Sequence, residues 1–584
     1  VQNAMECFEE ATQLCDRERD QGDLAWGEVT RDFANFLVVN RLSDRSEQLL
    51  NQALSVYRRH YGDAHIKTSD CMIDLYDYYF AKGSLQKARD VIDKEVENRA
   101  SIHAVNPRSR ALFFKRFAEL QGKLGDMHKA VSFQEQCLSA VREFAGEQSA
   151  FYVVALTELA RFHVQSGDRK LAISIIEEGM RLCERHAEDS IEYANLLELK
   201  ADVFDLSIHD AECIQWECLE LRTRVLGHNH RDCATSVSKI GTCRFKRGEY
   251  EEAIAAYERA TDLYERYYGR SHEHTARMLL NIGLSLQQQG RLDEAEDHLK
   301  AAVEEMAAAV GLEHSEYGLA LTYLSRFYTE LGRFNQALAT CQQALEIEKV
   351  VFGEKHLSYA RRLSDLSLIL IELDELDKAE EVLRKAVSLN RNACGEQSEQ
   401  YAFACANLGR FFARVSSSNN ALQWLPVAAE IQLRQFGLAH DETIGTRAMQ
   451  ADVLRSIRDF SQAAAIYKQI VSIFDNKLRT ENEALFAALN NLGVCLRSLG
   501  DYDDAEKGLT RALEVCNRLF GRTNVRYATT LSAYAELFRM TESLDKAIEY
   551  SNSSLEIFAN TASLDHPIAK LTKERLESIV QSRQ

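Results

Sequence analysis

The feature that most constrains this chain is a 42-residue repeat that runs through nearly all of its 584 residues. An alanine placed a few residues after a turn recurs at Ala88, Ala130, Ala172, Ala211, Ala253, Ala295, Ala337, Ala379, Ala421, Ala463, Ala505 and Ala547. Every step is 42 except the 39 between Ala172 and Ala211, and the same phase carried backwards reaches Ser46 and Ala4. A second marker, a glycine three residues before a histidine, falls at Gly62, Gly227, Gly269, Gly311, Gly353 and Gly437, with Gly146, Gly395 and Gly521 in the same phase. Two markers holding one period mean that a single supersecondary unit is copied and stacked. Spacing within a unit gives its type. Between 273 and 288, Met278, Leu279, Ile282 and Leu286 fall on one helical side; between 293 and 309, Ala295, Leu299, Ala302 and Met306 do the same. Gly290, between them, accepts the left-handed backbone that closes a helix. With 3 prolines in the whole chain, few helices are obliged to break. The unit is a helix-turn-helix hairpin and the fold class is all-α.

Two positions in each hairpin are held small. One is the alanine of the repeat. The other, seven residues before the turn, is small in eleven of thirteen units, as at Ala118, Gly241, Gly283, Ser325, Gly409 and Gly493, with Tyr76 and Leu199 as exceptions. Small side chains on both sides let two helices approach closely, and a large one there would overpack the contact at about 1–3 kcal/mol.

These positions, together with Tyr268 to Arg277, Leu280-Asn281-Ile282-Gly283 and Gly290-Arg291-Leu292-Asp293-Glu294-Ala295-Glu296, resemble the tetratricopeptide (TPR) repeat in its long form, similar to that of kinesin light chains, nephrocystin-3 and many bacterial arrays. His566-Pro567 matches the junction of that subfamily. The resemblance implies a right-handed α-solenoid of about 13 hairpins with a half-repeat at each end, acting as a non-catalytic scaffold for protein partners. It places residues 1–20 as the second helix of a truncated repeat, 21–566 as thirteen hairpins and 567–584 as a capping helix. The chain begins without Met and its first helix lacks a partner, so an array or domain continuing upstream is expected, with association possible through the open N-terminal end. The units around 188–227 and 416–458 are the least regular. The first is three residues short, and the second has Pro426 inside a helix, where a kink is expected.

Composition excludes several functions. The 70 basic and 89 acidic residues give a net charge of −19, so general nucleic-acid binding is not expected. No apolar run is long enough to span a membrane. Fourteen scattered cysteines without CxxC pairs read as reduced, buried thiols and a cytoplasmic location. Cys137 and Cys218 fall in small-residue slots, and the Cys213/Cys218 pair around Trp216 lacks zinc spacing. No phosphate-binding, dinucleotide, zinc-protease or nucleophile-elbow motif occurs, so neither catalysis nor a cofactor or metal is expected. His228-Asn229-His230 and His272-Glu273-His274 could pass for metal pairs. One histidine of this type recurs in phase (His65, His230, His272, His314, His356, His440, His566), which favours a structural role at a helix start.

Function is therefore sought on the first helices, which in a TPR solenoid line the concave face. Outward positions on that face are acidic in the early units (Glu28, Asp32, Asp70, Asp74, Asp77) and mostly basic later: Lys115, Arg116, Arg161, Lys200, Lys239, Arg277, Arg326, Arg361 and Arg410. Asn281, Asn407 and Asn491 recur nine residues before the turn, with Asn490 beside the last. Arginine forks suit carboxylates and asparagine amides suit a peptide backbone, so the expected partner is an extended, acidic protein segment. Two other readings compete. The charges could be solvated and balanced by carboxylates on neighbouring second helices, or the array could be the sensor of a larger signalling or protease-containing protein.

Overall fold

In the computed structural model, helix succeeds helix because each hairpin can bury its apolar side only against the next. The structure describes residues 2–18, 24–39, 45–63, 65–98, 106–186, 190–204, 206–269, 271–478, 480–561 and 565–583. Among them are 28 α-helices and no strand, so the fold is an all-α solenoid. First helices are mostly 16 residues long, as in Glu273–Gln288, and second helices 19, as in Leu292–Val310. The chain divides into two units, Val1–Asp374 and Glu375–Gln584.

The small positions hold the hairpins together. All the repeat alanines from Ala88 onward are 0% exposed except Ala211, which is only partly buried. Glycine at the facing position is required by contact. A Cβ at Gly283 would lie 2.8 Å from Leu299 Cγ, at Gly409 2.7 Å from Leu425 Cγ and at Gly493 2.6 Å from Leu509 Cγ. Tyr76, in a slot that is usually small, is buried and donates its hydroxyl to the Arg116 carbonyl of the next hairpin at 3.0 Å. In the first unit Leu24–Val39 approaches Ile66–Ala81, and Ala150–Gln165 approaches Ile191–Val203. In the second, Glu399–Arg414 approaches Asp441–Ser456, which in turn approaches Glu483–Leu499. These are successive first helices, so first helices form the inside of the curve in each unit.

The irregular repeats have local causes. The missing three residues come from the first helix Ile191–Val203, which has 13 residues and ends at Phe204 in extended backbone. Ser418–Phe436 runs through Pro426 as one 19-residue helix. Position 479 holds Arg where the phase calls for glycine, and there the helix Phe460–Ile473 passes into a π-helical turn, Phe474–Leu478. At the C-terminal helix Pro567–Arg583 the buried residues are Ala569, Thr572 and Ile579, while Leu571 and Val580 are exposed.

The hairpin turn requires φ > 0, and four turns meet it without glycine: Asp374, Ser416, Arg458 and Glu542 have φ of 58–65°. A side chain in this region costs about 1–2 kcal/mol, partly offset by the greater unfolded-state freedom of glycine. Arg458→Gly and Glu542→Gly, both at exposed side chains, are each expected to raise stability by about 0.5–1 kcal/mol. Chemical denaturation would show this as a higher midpoint at unchanged slope; a lowered midpoint would contradict the strain.

Candidate functional site

The recurring histidine is a helix cap. At His65, His230, His272, His314, His356, His440 and His566, Nδ1 accepts the backbone N–H two residues on at 3.1–3.3 Å. Several rings also stack on the last aromatic of the preceding helix, His272 on Tyr268 at 3.8 Å and His356 on Phe352 at 4.4 Å. Ser149, Ser190, Ser398, Asn482 and Asn524 cap other first helices. With Nδ1 committed to the backbone, these imidazoles are fixed as structural groups.

The cysteines pack as small apolar side chains. Burial pushes the thiols of Cys71, Cys218 and Cys341 up to about 12 and that of Cys137 to about 11, so they are poor nucleophiles at neutral pH for as long as they stay packed. Cys213 differs, being exposed with Sγ 3.8 Å from His209 Nε2. Among the described residues no three His, Cys, Asp or Glu side chains gather as metal ligands.

The first-helix face carries a ladder of polar pairs, each spanning one repeat. Arg31 bonds to Asp74 at 2.5 Å, Arg116 to Asp77 at 2.6 Å, Lys239 to Asp202 at 2.6 Å, Arg277 to Glu316 at 2.8 Å and Arg326 to Asp365 at 3.0 Å. In the second unit Asn491 donates to Asp452 at 3.0 Å, and Arg526 pairs with Glu483. The balancing carboxylates thus stand on the adjacent first helix rather than on second helices. Arg161 pairs within its own helix with Glu158 at 2.8 Å, and Lys200 lies 5.5 Å from the centre of the Phe204 ring. Asn490 donates to Asn491, while Asn281 and Asn407 are partly buried. Arg361 and Arg410 are exposed, with no carboxylate in ion-pair range among the described residues.

Two clefts open on this face within the first unit. One, of about 310 Å³, lies between Ser315–Glu330 and Leu357–Glu372; its walls include Arg326, Thr329, Arg362, Asp365 and Leu368, with Cys341 contributed by the second helix between them. Arg326 is 52% exposed at the side chain and Leu368 is 50% exposed. The other, of about 340 Å³, lies between Pro107–Lys123 and Ala150–Gln165, where Leu112, Phe151 and Val154 present apolar surface beside Lys115 and Glu158. Neither Leu368 nor Phe151 stands out in the sequence, where an outward apolar residue on a helix looks like any core residue. A charge thirty-seven to forty-three positions from its opposite was the signal available for the ladder.

Comparison with known proteins decides the family. Tetratricopeptide-repeat family models match residues 215–265, 232–304, 317–392 and 485–560, and a second model of the same description matches 448–518. The chain is a TPR protein. Repeats of this kind bind protein or peptide partners and are typically non-catalytic. The chain is 30% identical over 94 residues to a clustered mitochondria protein homolog of Coccidioides immitis (strain RS), a match covering 16% of this chain and 7% of that protein. Among solved structures, the apo form of RapI covers 64% of this TPR chain and 98% of its own, at 16% identity and a TM-score of 0.45. BtubC (BKLC) from P. vanneervenii covers 40% and 94%, at 17% identity and 0.36. No described helix of the TPR array is long and apolar enough to cross a membrane.

Proposed function

We propose that this TPR array is a cytoplasmic, non-catalytic scaffold that holds an extended acidic segment of a partner protein along its first-helix face. The observation that carries the proposal is the Arg326 cleft. Its guanidinium is half-exposed beside exposed Leu368, so one cleft offers a fork for a carboxylate and an apolar wall for the neighbouring side chain. Asp365 serves two arginines, Arg326 at 3.0 Å and Arg362 at 2.6 Å. An incoming carboxylate can therefore take Arg326 while Asp365 keeps Arg362. Arg161, Lys200, Lys239, Arg277, Arg361 and the asparagine Asn281 continue the surface in the first unit; Asn407, Arg410, Asn490 and Asn491 provide a corresponding surface in the second. Association through the N-terminal end is a further contact open to such an array.

A synthetic array of twelve-residue peptides, each in a Glu-containing and a Gln-substituted version, tests this. The acidic versions are expected to bind and to weaken with salt. Arg326→Glu should lower their affinity by roughly 30-fold, about 2 kcal/mol, because it removes one charge pair and adds a repulsion. Arg410→Glu serves as the corresponding test in the second unit. Equal binding of both versions, or no effect of either reversal, would place the partner elsewhere.

A further inference from the structure

Within the first unit the array returns onto itself. Gln86 donates its Nε2 to the Phe352 carbonyl at 2.6 Å, across 266 residues. The hairpin turn at Gly83 lies against His314, and a Cβ there would stand 2.6 Å from the ring's Cδ2. One repeat further on, the turn at Gly125 faces His356, with its Cβ position 3.4 Å from Nε2. Both contacts therefore join a hairpin turn to a capping histidine at the same separation along the chain. Val351, 1% exposed, belongs to the apolar cluster of Leu50, Leu85 and Ile92, and Ile347 and Phe352 pack against it. Burial here pushes the His314 and His356 imidazoles below their ordinary value. Both keep Nδ1 as a cap for the next helix.

The two helices begun by these histidines, Ser315–Glu330 and Leu357–Glu372, are the walls of the Arg326 cleft. The turns at 83 and 125 thus seat on the starts of both walls. Compared with the packing inside the array, this seam is thin among the described residues: the Gln86–Phe352 hydrogen bond, a polar contact of His356 with the Leu124 backbone, two glycine–histidine contacts and one short apolar patch. We propose that the seam is a latch, in which the turns at Gly83 and Gly125 clamp the starts of 315–330 and 357–372, and that releasing it widens the Arg326 cleft. The inference concerns the regulation of the cleft proposed above as the binding site, but its test needs no ligand.

Gly83→Asn combined with Gln86→Ala opens the seam. Asparagine tolerates the left-handed backbone of position 83 while its Cβ displaces the His314 ring. Gly290→Asn is the control, since it has the same turn conformation (φ 77°) and open space around it. Amide exchange at 312–318 and 352–360 is expected to rise several-fold in the double variant and to stay unchanged in the control. Alkylation of Cys341, which lines the cleft, by N-ethylmaleimide should rise at least fivefold by peptide mapping, with Cys405 in the second unit as internal reference. Unchanged exchange would overturn the latch, and raised exchange with unchanged Cys341 labelling would overturn its coupling to the cleft. Absence of acidic-peptide binding would count against the proposed function alone.

Discussion

Ala337→Trp is expected to unfold the middle of the first unit, at a cost above about 3 kcal/mol. Ala337 is 0% exposed, and its carbonyl accepts the Ser325 hydroxyl at 2.9 Å, so two helices meet there with no room for an indole. Overpacking by a few methylenes already costs about 1–3 kcal/mol, and Trp adds much more volume. In a solenoid each hairpin leans only on its neighbours, so the damage should spread outward from one point. Hydrogen exchange should show 315–330 and 334–352 losing protection first. Arg326→Glu, on an exposed side chain of the facing helix, loses its pair with Asp365 and should lower stability by no more than about 1 kcal/mol. If the two variants melted alike, the division between packing side and open face would be wrong.

The second large effect is expected at the shortened repeat. Arg222 is only 3% exposed, yet it is a full charge: it pairs with Glu198 at 2.6 Å and donates to Ser236 and Asn195, each at 2.8 Å. Lys239 joins Glu198 at 2.9 Å. Burial alone would raise the Glu198 carboxyl, but Lys239 and Arg222 outweigh it and hold the group below the usual carboxylate range. Glu198→Ala leaves the guanidinium buried without its carboxylate and should cost about 3–5 kcal/mol. Glu198→Leu with Arg222→Met should recover most of that loss, because no unpaired charge remains. The wild-type advantage should also shrink on acidification. A carboxyl with a lowered folded value contributes its stability above the ordinary 4.5 and loses it as pH falls through the folded value. A single variant costing under 1 kcal/mol would mean that the pair is solvated.

Much of this architecture could be read without coordinates, for reasons visible in particular residues. Ala295 and Gly283 recur because two helix backbones must meet at one spot in every hairpin, and that demand repeats with the period. The histidine before each first helix recurs for a similarly local reason, its Nδ1 reaching a backbone N–H two residues away. Where local demand can be met by other means, sequence reading weakened. Asp374, Ser416, Arg458 and Glu542 take a conformation that suggests glycine, while Arg479 stands where the glycine marker should be and the helix ends in a π turn.

The candidate site was legible only in part. Charged residues on the first helices could be named, but their partners could not. In the sequence Arg326 reads as a cation open to an outside ligand, whereas Asp365, one repeat away, already shares it. Sequence by itself determined the period, the helix pair, the small contacts and the caps, because each depends on residues within a few turns of one another. Tertiary structure alone decided which cations are neutralised, where a cleft opens beside Leu368, and that Gln86 meets Phe352. Those depend on the small rotation from hairpin to hairpin, which accumulates over the first unit until distant turns touch, and no single repeat encodes that sum.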